Sequence, residues 1–316
     1  MESPRSSAYP GLSATLCDTS GMRNSIVGLT LSLCVLVAGP ALAQSLSPHW
    51  EELTAEDFIA AVQRANGTCV LPFGIIEKHG PSGPLGTDLI NIRYTVEKAV
   101  QQEYAVVFPA YYVGQIFEAK HQPGTLAYSS ELQMKMLSET VNEMARNGCS
   151  KIVIANGHGG NNGLLQYFNL TLLEKPHDYV VYTYAGTGGN AQDLPAAARA
   201  SKPGADGHAG EGEVSNVMTS RPDLGHPERA GRESGGNMAR LALPAGVTTS
   251  ISWYSMYPNH YAGDASGATA TRGAAMAEYA ATHFAVAIRA IKADQVSAQL
   301  QKEFFEKAAH PLDTKQ

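Results

Sequence analysis

The sequence predicts an α/β domain of three layers, α/β/α, around a mainly parallel sheet. Three observations carry this. Short apolar runs of strand length recur along residues 70–184, and stretches with helical periodicity separate them. The chain is 44% apolar and 16% charged over 316 residues, enough to bury a sizeable core in one large domain.

Residues 70–76 read as a short apolar strand. After a Gly/Pro-rich turn, Leu89, Ile92, Val96 and Ala99 recur at helical spacing. Residues 105–108 form a second strand, and a loop then runs to Thr125. A helix over 131–147 follows, opened by Ser130 with Gln133 three residues later and closed by Gly148. Residues 151–155 make a third strand, and the glycine-rich turn 157–161 leads into a helix carrying Leu164, Leu165, Phe168 and Leu172. A fourth strand spans 179–184. This alternation implies parallel strands with helices on both faces. Residues 186–207 lose periodicity and read as a long loop, a short helix follows Gly210, 221–246 is irregular, and 269–307 is largely helical.

The N-terminus reads as a targeting segment. Met22-Arg23-Asn24 supplies a positive start, 26–38 an apolar run and Ala41-Leu42-Ala43 a small-residue cleavage signature. The run is shorter than the roughly 20 residues a membrane span needs and ends in Gly39-Pro40. We therefore expect residues 1–43 to be an extension and cleaved signal peptide, with Met22 as the natural start, and 44–316 to be a single exported domain, periplasmic or secreted. Leu33 before Cys34 argues against lipidation, so no membrane anchor is expected. The net charge of −6, without a basic block, excludes an electrostatic footprint for nucleic acid. Cys69 and Cys149 both precede strands. They could pair if those strands are neighbours or remain buried thiols.

Glu77, His79 and Asp88 lie in the loop after the first strand, and His158 lies in the loop after the third. In a parallel sheet both loops emerge at the carboxyl edge, where such folds bind ligands. Glu77 and His79 share a side of an extended segment. A mixed Glu, His and Asp set suits Zn, Mn or Fe and argues against an all-oxygen Ca site. One such residue beside a Gly/Pro turn could be an ordinary solvated side chain; four in two matched loops are a constellation.

The successive segments Glu77-Lys78-His79-Gly80-Pro81, Thr87-Asp88, 156–161 and His208-Ala209-Gly210 with Glu213 resemble the motifs of the creatininase family. Pro123-Gly124-Thr125, Gly263-Asp264 and Ala270-Thr271 fit its weaker motifs. The resemblance spans about residues 50 to 290. It implies a creatininase-like three-layer fold, a homo-oligomer, specifically a hexamer, and a two-metal amidohydrolase acting on a small-molecule or peptide amide. The implied cofactors are two divalent metal ions, Zn first, with Mn or Fe as alternatives. Asp88 would bridge them, Glu77 and His158 would complete one site, and His79 with Glu213 the other. Three carboxylates and a hydroxide would offset the charge of the two ions. A shared water would attack a polarised carbonyl, with His208 as the proton shuttle. Ser82, Glu118 and Gly159 are the candidate substrate contacts.

Two departures from the family pattern stand out. Ser82 replaces the second histidine of a His-Gly-Pro-His pattern. Glu211 competes with Glu213 as last ligand, because His208 and Glu211 would share a face of a regular helix. The family pattern favours Glu213 and leaves Glu211 as a solvated surface residue. Gly159 and Gly160 stand where creatinine-cleaving members carry a bulkier pair, and only Trp50 and Trp253 could supply an indole to the pocket, so creatinine itself is not the expected substrate. The rival readings are a secreted metal- or small-molecule-binding protein that lost catalysis, and a serine hydrolase. No Gly-x-Ser-x-Gly elbow supports the latter.

Overall fold

A computed structural model describes residues 46–186 and 193–315. The segment expected to be a signal peptide, the expected cleavage point near Ala43 and part of the long loop lie outside the described residues. The described residues fall within one compact unit.

Four parallel strands, β1 (Thr68–Phe73), β2 (Val106–Val107), β3 (Lys151–Asn156) and β4 (Val180–Tyr184), lie in the order β2-β1-β3-β4. Alternation along each strand sends side chains to opposite faces. Cys69, Leu71, Phe73, Ile152 and Ile154 pack with Ala61 of α1 (Ala55–Arg64), Leu137, Val141 and Met144 of α3 (Ser130–Arg146), and Leu165 and Phe168 of α4 (Asn161–Thr171). Val70, Val153 and Ala155 face the other way. They meet Ile92, Val96 and Ala99 of α2 (Thr87–Gln102) and Ala281, Phe284 and Ile288 of α7 (Ala270–Ala293). The three layers of the expected α/β/α sandwich are therefore present. Helix α5 (Glu211–Ser220) packs beside α7 and α2, and α6 (Ser252–Met256) and the C-terminal α8 (Val296–Ala309) complete the helices used below.

Several element ends differ from the sequence reading for local physical reasons. Strand β1 stops at Phe73, the last residue in register with β3, and on its other side the Gly74 amide donates to the Tyr111 carbonyl at 3.0 Å in an isolated parallel bridge between Phe73 and Tyr111. A Cβ at Gly74 would lie 2.6 Å from the Leu89 Cα, so only glycine lets α2 press against the strand end. The cap of α3 is Ser129, whose hydroxyl accepts from the Leu132 amide, and Ser130 is the first helical residue. The C-terminal helical stretch breaks at Asp294, whose carboxylate accepts from the Val296 and Ser297 amides and from the Tyr182 hydroxyl. Cys69 and Cys149 form a disulfide with Cα atoms 5.7 Å apart, tying β1 to the entry of β3. Both cysteines are fully buried.

From β1 the order runs to β2 on one side and to β3 on the other, so the chain connections reverse direction between β1 and β3. The loops leaving the carboxyl ends of these two neighbours open a crevice of the kind in which doubly wound sheets bind ligands.

Candidate metal centre

The crevice collects the side chains singled out in the two loops. Glu77 lies in the loop between β1 and α2, His79 lies two residues on, and Asp88 sits in the first turn of α2. His158 lies in the turn between β3 and α4. A Cβ at Gly157 would lie 2.6 Å from the Ile92 Cβ, so this glycine lets α2 approach the end of β3 and brings Asp88 beside His158. The asparagines of the turn hold it. Asn156 accepts from the His158 amide at 3.2 Å and donates to its carbonyl at 2.8 Å, while Asn161 accepts from the Gln115 amide at 2.9 Å.

Asp88 divides its oxygens between two histidines. Oδ1 is 3.2 Å from His79 Nε2 and Oδ2 is 3.0 Å from His158 Nδ1. Glu77 Oε1 also lies 3.0 Å from His158 Nδ1, and Glu213 Oε2 lies 3.6 Å from His79 Nε2. The second nitrogen of each histidine faces a backbone carbonyl: His79 Nδ1 is 3.2 Å from that of Glu77 and His158 Nε2 is 3.1 Å from that of Gln115. In the neutral rings these carbonyls would take the N–H, so that His79 Nε2 and His158 Nδ1 could each offer a lone pair to a cation between them and the carboxylates.

Glu77 Oε1 and Asp88 Oδ2 are buried, and despite the close His158 nitrogen neither has a hydrogen-bond partner of adequate geometry among the described residues. A buried carboxylate oxygen without a partner is costly, and a cation removes that cost. The electrostatics agree. Burial would lower the pKa of both His79 and His158, but the carboxylates outweigh it and push each up to about 10, with Asp88 the leading partner in both cases. Burial acts to raise Glu77, yet contacts from His158 and His260 hold it well below the usual carboxylate range. Burial raises Glu213 to about 7, aided by Asp88 and Glu77. Without metal, protons on the histidines stand in for cations in a strongly negative cluster. The residues present fit divalent ions with mixed nitrogen and oxygen donors.

His208 donates from Nε2 to the Lys78 carbonyl at 2.9 Å, which leaves Nδ1 able to accept a proton. Burial, with the neighbouring His79 and His260, brings its pKa down to about 4. Its ring centroid lies 4.6 Å from that of His79.

The two competing glutamates separate cleanly. Ala209 adopts a left-handed φ of 60°, and α5 begins only at Glu211, so His208 is not on the helix. Glu213 accepts from the Ala209 amide at 2.6 Å and faces His79. Glu211 points away, accepting from the Ser201 amide and hydroxyl and lying 3.5 Å from Arg272. It is 1% exposed, so the expectation of a solvated surface residue is corrected.

A cleft of about 390 Å³ lies over the cluster, lined by residues including Glu118, His158, Gly159, His208 and Trp253. Glu118 and Gly159 thus border it, whereas Ser82 is 1% exposed, does not line it and offers no accessible hydroxyl to a substrate there. His260 was missed by the sequence reading, although its Nε2 lies 2.5 Å from Glu77 Oε2.

The creatinine amidohydrolase (creatininase) family profile matches residues 51–288, three quarters of the chain. The chain belongs to the creatininase family, a class of metal-dependent amidohydrolases. It is 26% identical over 115 residues to creatinine amidohydrolase of Pseudomonas putida, covering 35% of this chain and 44% of that one. It is 30% identical over 161 residues to the mycofactocin precursor peptide peptidase of Mycolicibacterium smegmatis, covering 49% and 58%. The chain thus spans about half the length of the curated relatives it matches. A solved creatininase superposes with a TM-score of 0.66 at 22% identity, over 79% of this chain and 100% of that one. A Zn–Zn form superposes at 0.66 and an Mn form at 0.63, each 21% identical over 78% of this chain and covering 99% and 100% of its own length. These likenesses show the fold.

Proposed function

We propose that this chain is an exported metal-dependent amidohydrolase that cleaves a C–N amide bond with the help of two divalent ions, which Asp88 would help to hold. The observation that carries the reading is the division of the Asp88 oxygens between His79 and His158, with partnerless oxygens on Asp88 and Glu77 beside them. His158 and Glu77 would hold one ion and His79 and Glu213 the other, with Zn the first choice and Mn or Fe the alternatives. When bound, such a pair supplies an activated water and a polarised carbonyl.

The chain's own residues would do the rest. His208, neutral at pH 7, would take the proton of the attacking water at Nδ1 and deliver it to the leaving nitrogen. The Lys78 carbonyl holds the ring for that exchange. Glu118 and Gly159 would meet the substrate. Among the described residues a Cβ at Gly159 would touch nothing within 4 Å, which supports a cleft open at this point. Beyond Glu118 it adjoins a groove of about 750 Å³ bordered by Phe117, His121, Ile251 and Tyr254. That room favours a peptide-like amide over creatinine. The Cys69–Cys149 disulfide supports export, since such bonds persist in oxidising compartments.

Replacing His208 by Ala should lower kcat by roughly 10²- to 10⁴-fold on any amide the protein turns over, while metal content stays at the wild-type value. Elemental analysis and steady-state kinetics on one preparation check this. Unchanged kcat would remove His208 from the mechanism.

A further inference from the structure

Glu77 faces two environments. Oε1 lies toward His158 and His79, at 3.0 and 3.9 Å, whereas Oε2 is 2.5 Å from His260 Nε2. On the far side of His260, the Trp253 indole nitrogen donates to Nδ1 at 2.8 Å. An indole nitrogen can only donate, so Nδ1 must present its lone pair, and the neutral imidazole then carries its proton on Nε2. That N–H points at Glu77. Both ring nitrogens are therefore engaged, and His260 is unsuited to bind a cation even though Glu77, His208 and His260 lie within reach of one another. His260 is 2% exposed and holds φ at +54°, a conformation uncommon for residues other than glycine that persists where its surroundings over-determine it.

We propose that His260 is a positioning residue: Trp253 fixes its tautomer, and its Nε2–H pins Glu77 so that Oε1 alone is offered to the ion shared with Asp88 and His158. This rests on the metallohydrolase reading. Rotation of the carboxylate would carry Oε1 away from Asp88 Oδ2, and the hydrogen bond to Oε2 opposes that rotation. Outer partners of this kind commonly change metal affinity by about 10- to 100-fold.

The test is equilibrium titration of metal-free wild type, His260→Ala, His260→Gln and Trp253→Phe with zinc, with bound ion counted by elemental analysis and folding checked by thermal melts. The expected result is that His260→Ala weakens one of the two binding events by about 10- to 100-fold and leaves the other within a few-fold. His260→Gln, which keeps an N–H donor, should recover most of the loss. Trp253→Phe, which frees the tautomer, should fall between. If His260→Ala binds both ions as wild type does, the proposal is overturned and the metallohydrolase reading stands. If His260→Gln is as defective as His260→Ala, His260 acts as a ligand and the proposal is equally overturned. A wild type that takes up no zinc overturns both.

Discussion

Glu211 and Glu213 stand two residues apart in the first turn of α5, yet the turn before the helix sends them to different tasks. The left-handed Ala209 aims its amide at Glu213, and Glu213 faces His79; Glu211 is buried against Ser201 and Arg272. Glu213→Gln should lower metal content with little change in melting temperature of the metal-free protein. Glu211→Ala should keep metal content but destabilise the fold by about 3 kcal/mol, because it leaves the Arg272 charge with one carboxylate fewer in a buried network. Elemental analysis with chemical denaturation of both variants separates the two roles. Glu77, His79, Asp88 and His158 were legible in the sequence because each follows a strand that its own apolar run announces. His260 was not. It lies 183 residues from Glu77 along the chain, in a stretch without periodicity, and only folding brings it beside the carboxylate. The burial of Glu211 was hidden for a related reason: Ser201 and Arg272 lie in other segments, and only folding brings them to it.

At the scale of elements, ends carry most of the new information. Helix α3 was legible from its periodicity, with buried positions Gln133, Leu137, Val141 and Met144 on one stripe. Its cap was displaced by one residue, since Ser130 alone has Gln three residues on, at Gln133, whereas the backbone makes Ser129 the cap. Ser129 has the extended φ and ψ of a cap, −61° and 150°. Ser129→Ala should therefore cost about 1 kcal/mol, whereas Ser130→Ala, inside the first turn, should cost much less. Urea unfolding of the pair checks this. Strand β1 likewise ends early, at Phe73, and Gly74 after it is packed tightly against the start of α2. That early end frees residues 74–86 to form the loop carrying Glu77 and His79, so a small misreading of the strand concerned the segment that builds the site.

For the whole molecule, the decisive arrangement is the strand order. Alternating strands and helices predict parallel pairing, but not which strands are neighbours. Placing β1 between β2 and β3 creates the crevice and brings Cys69 and Cys149 together. The disulfide closes a separation of 80 residues, so removing it by Cys69→Ser with Cys149→Ser should cost on the order of 4 kcal/mol. Denaturant titration of the double variant against the oxidised parent measures this. The central claim is that this crevice holds two ions through one shared carboxylate. The measurement that tests it most directly is the metal content of the purified protein and of Asp88→Ala, by elemental analysis at matched concentration after reconstitution. The account predicts about two transition-metal ions per chain in the parent and a loss of both in the variant. An Asp88→Ala protein with full metal content, or a parent that binds none, would contradict it.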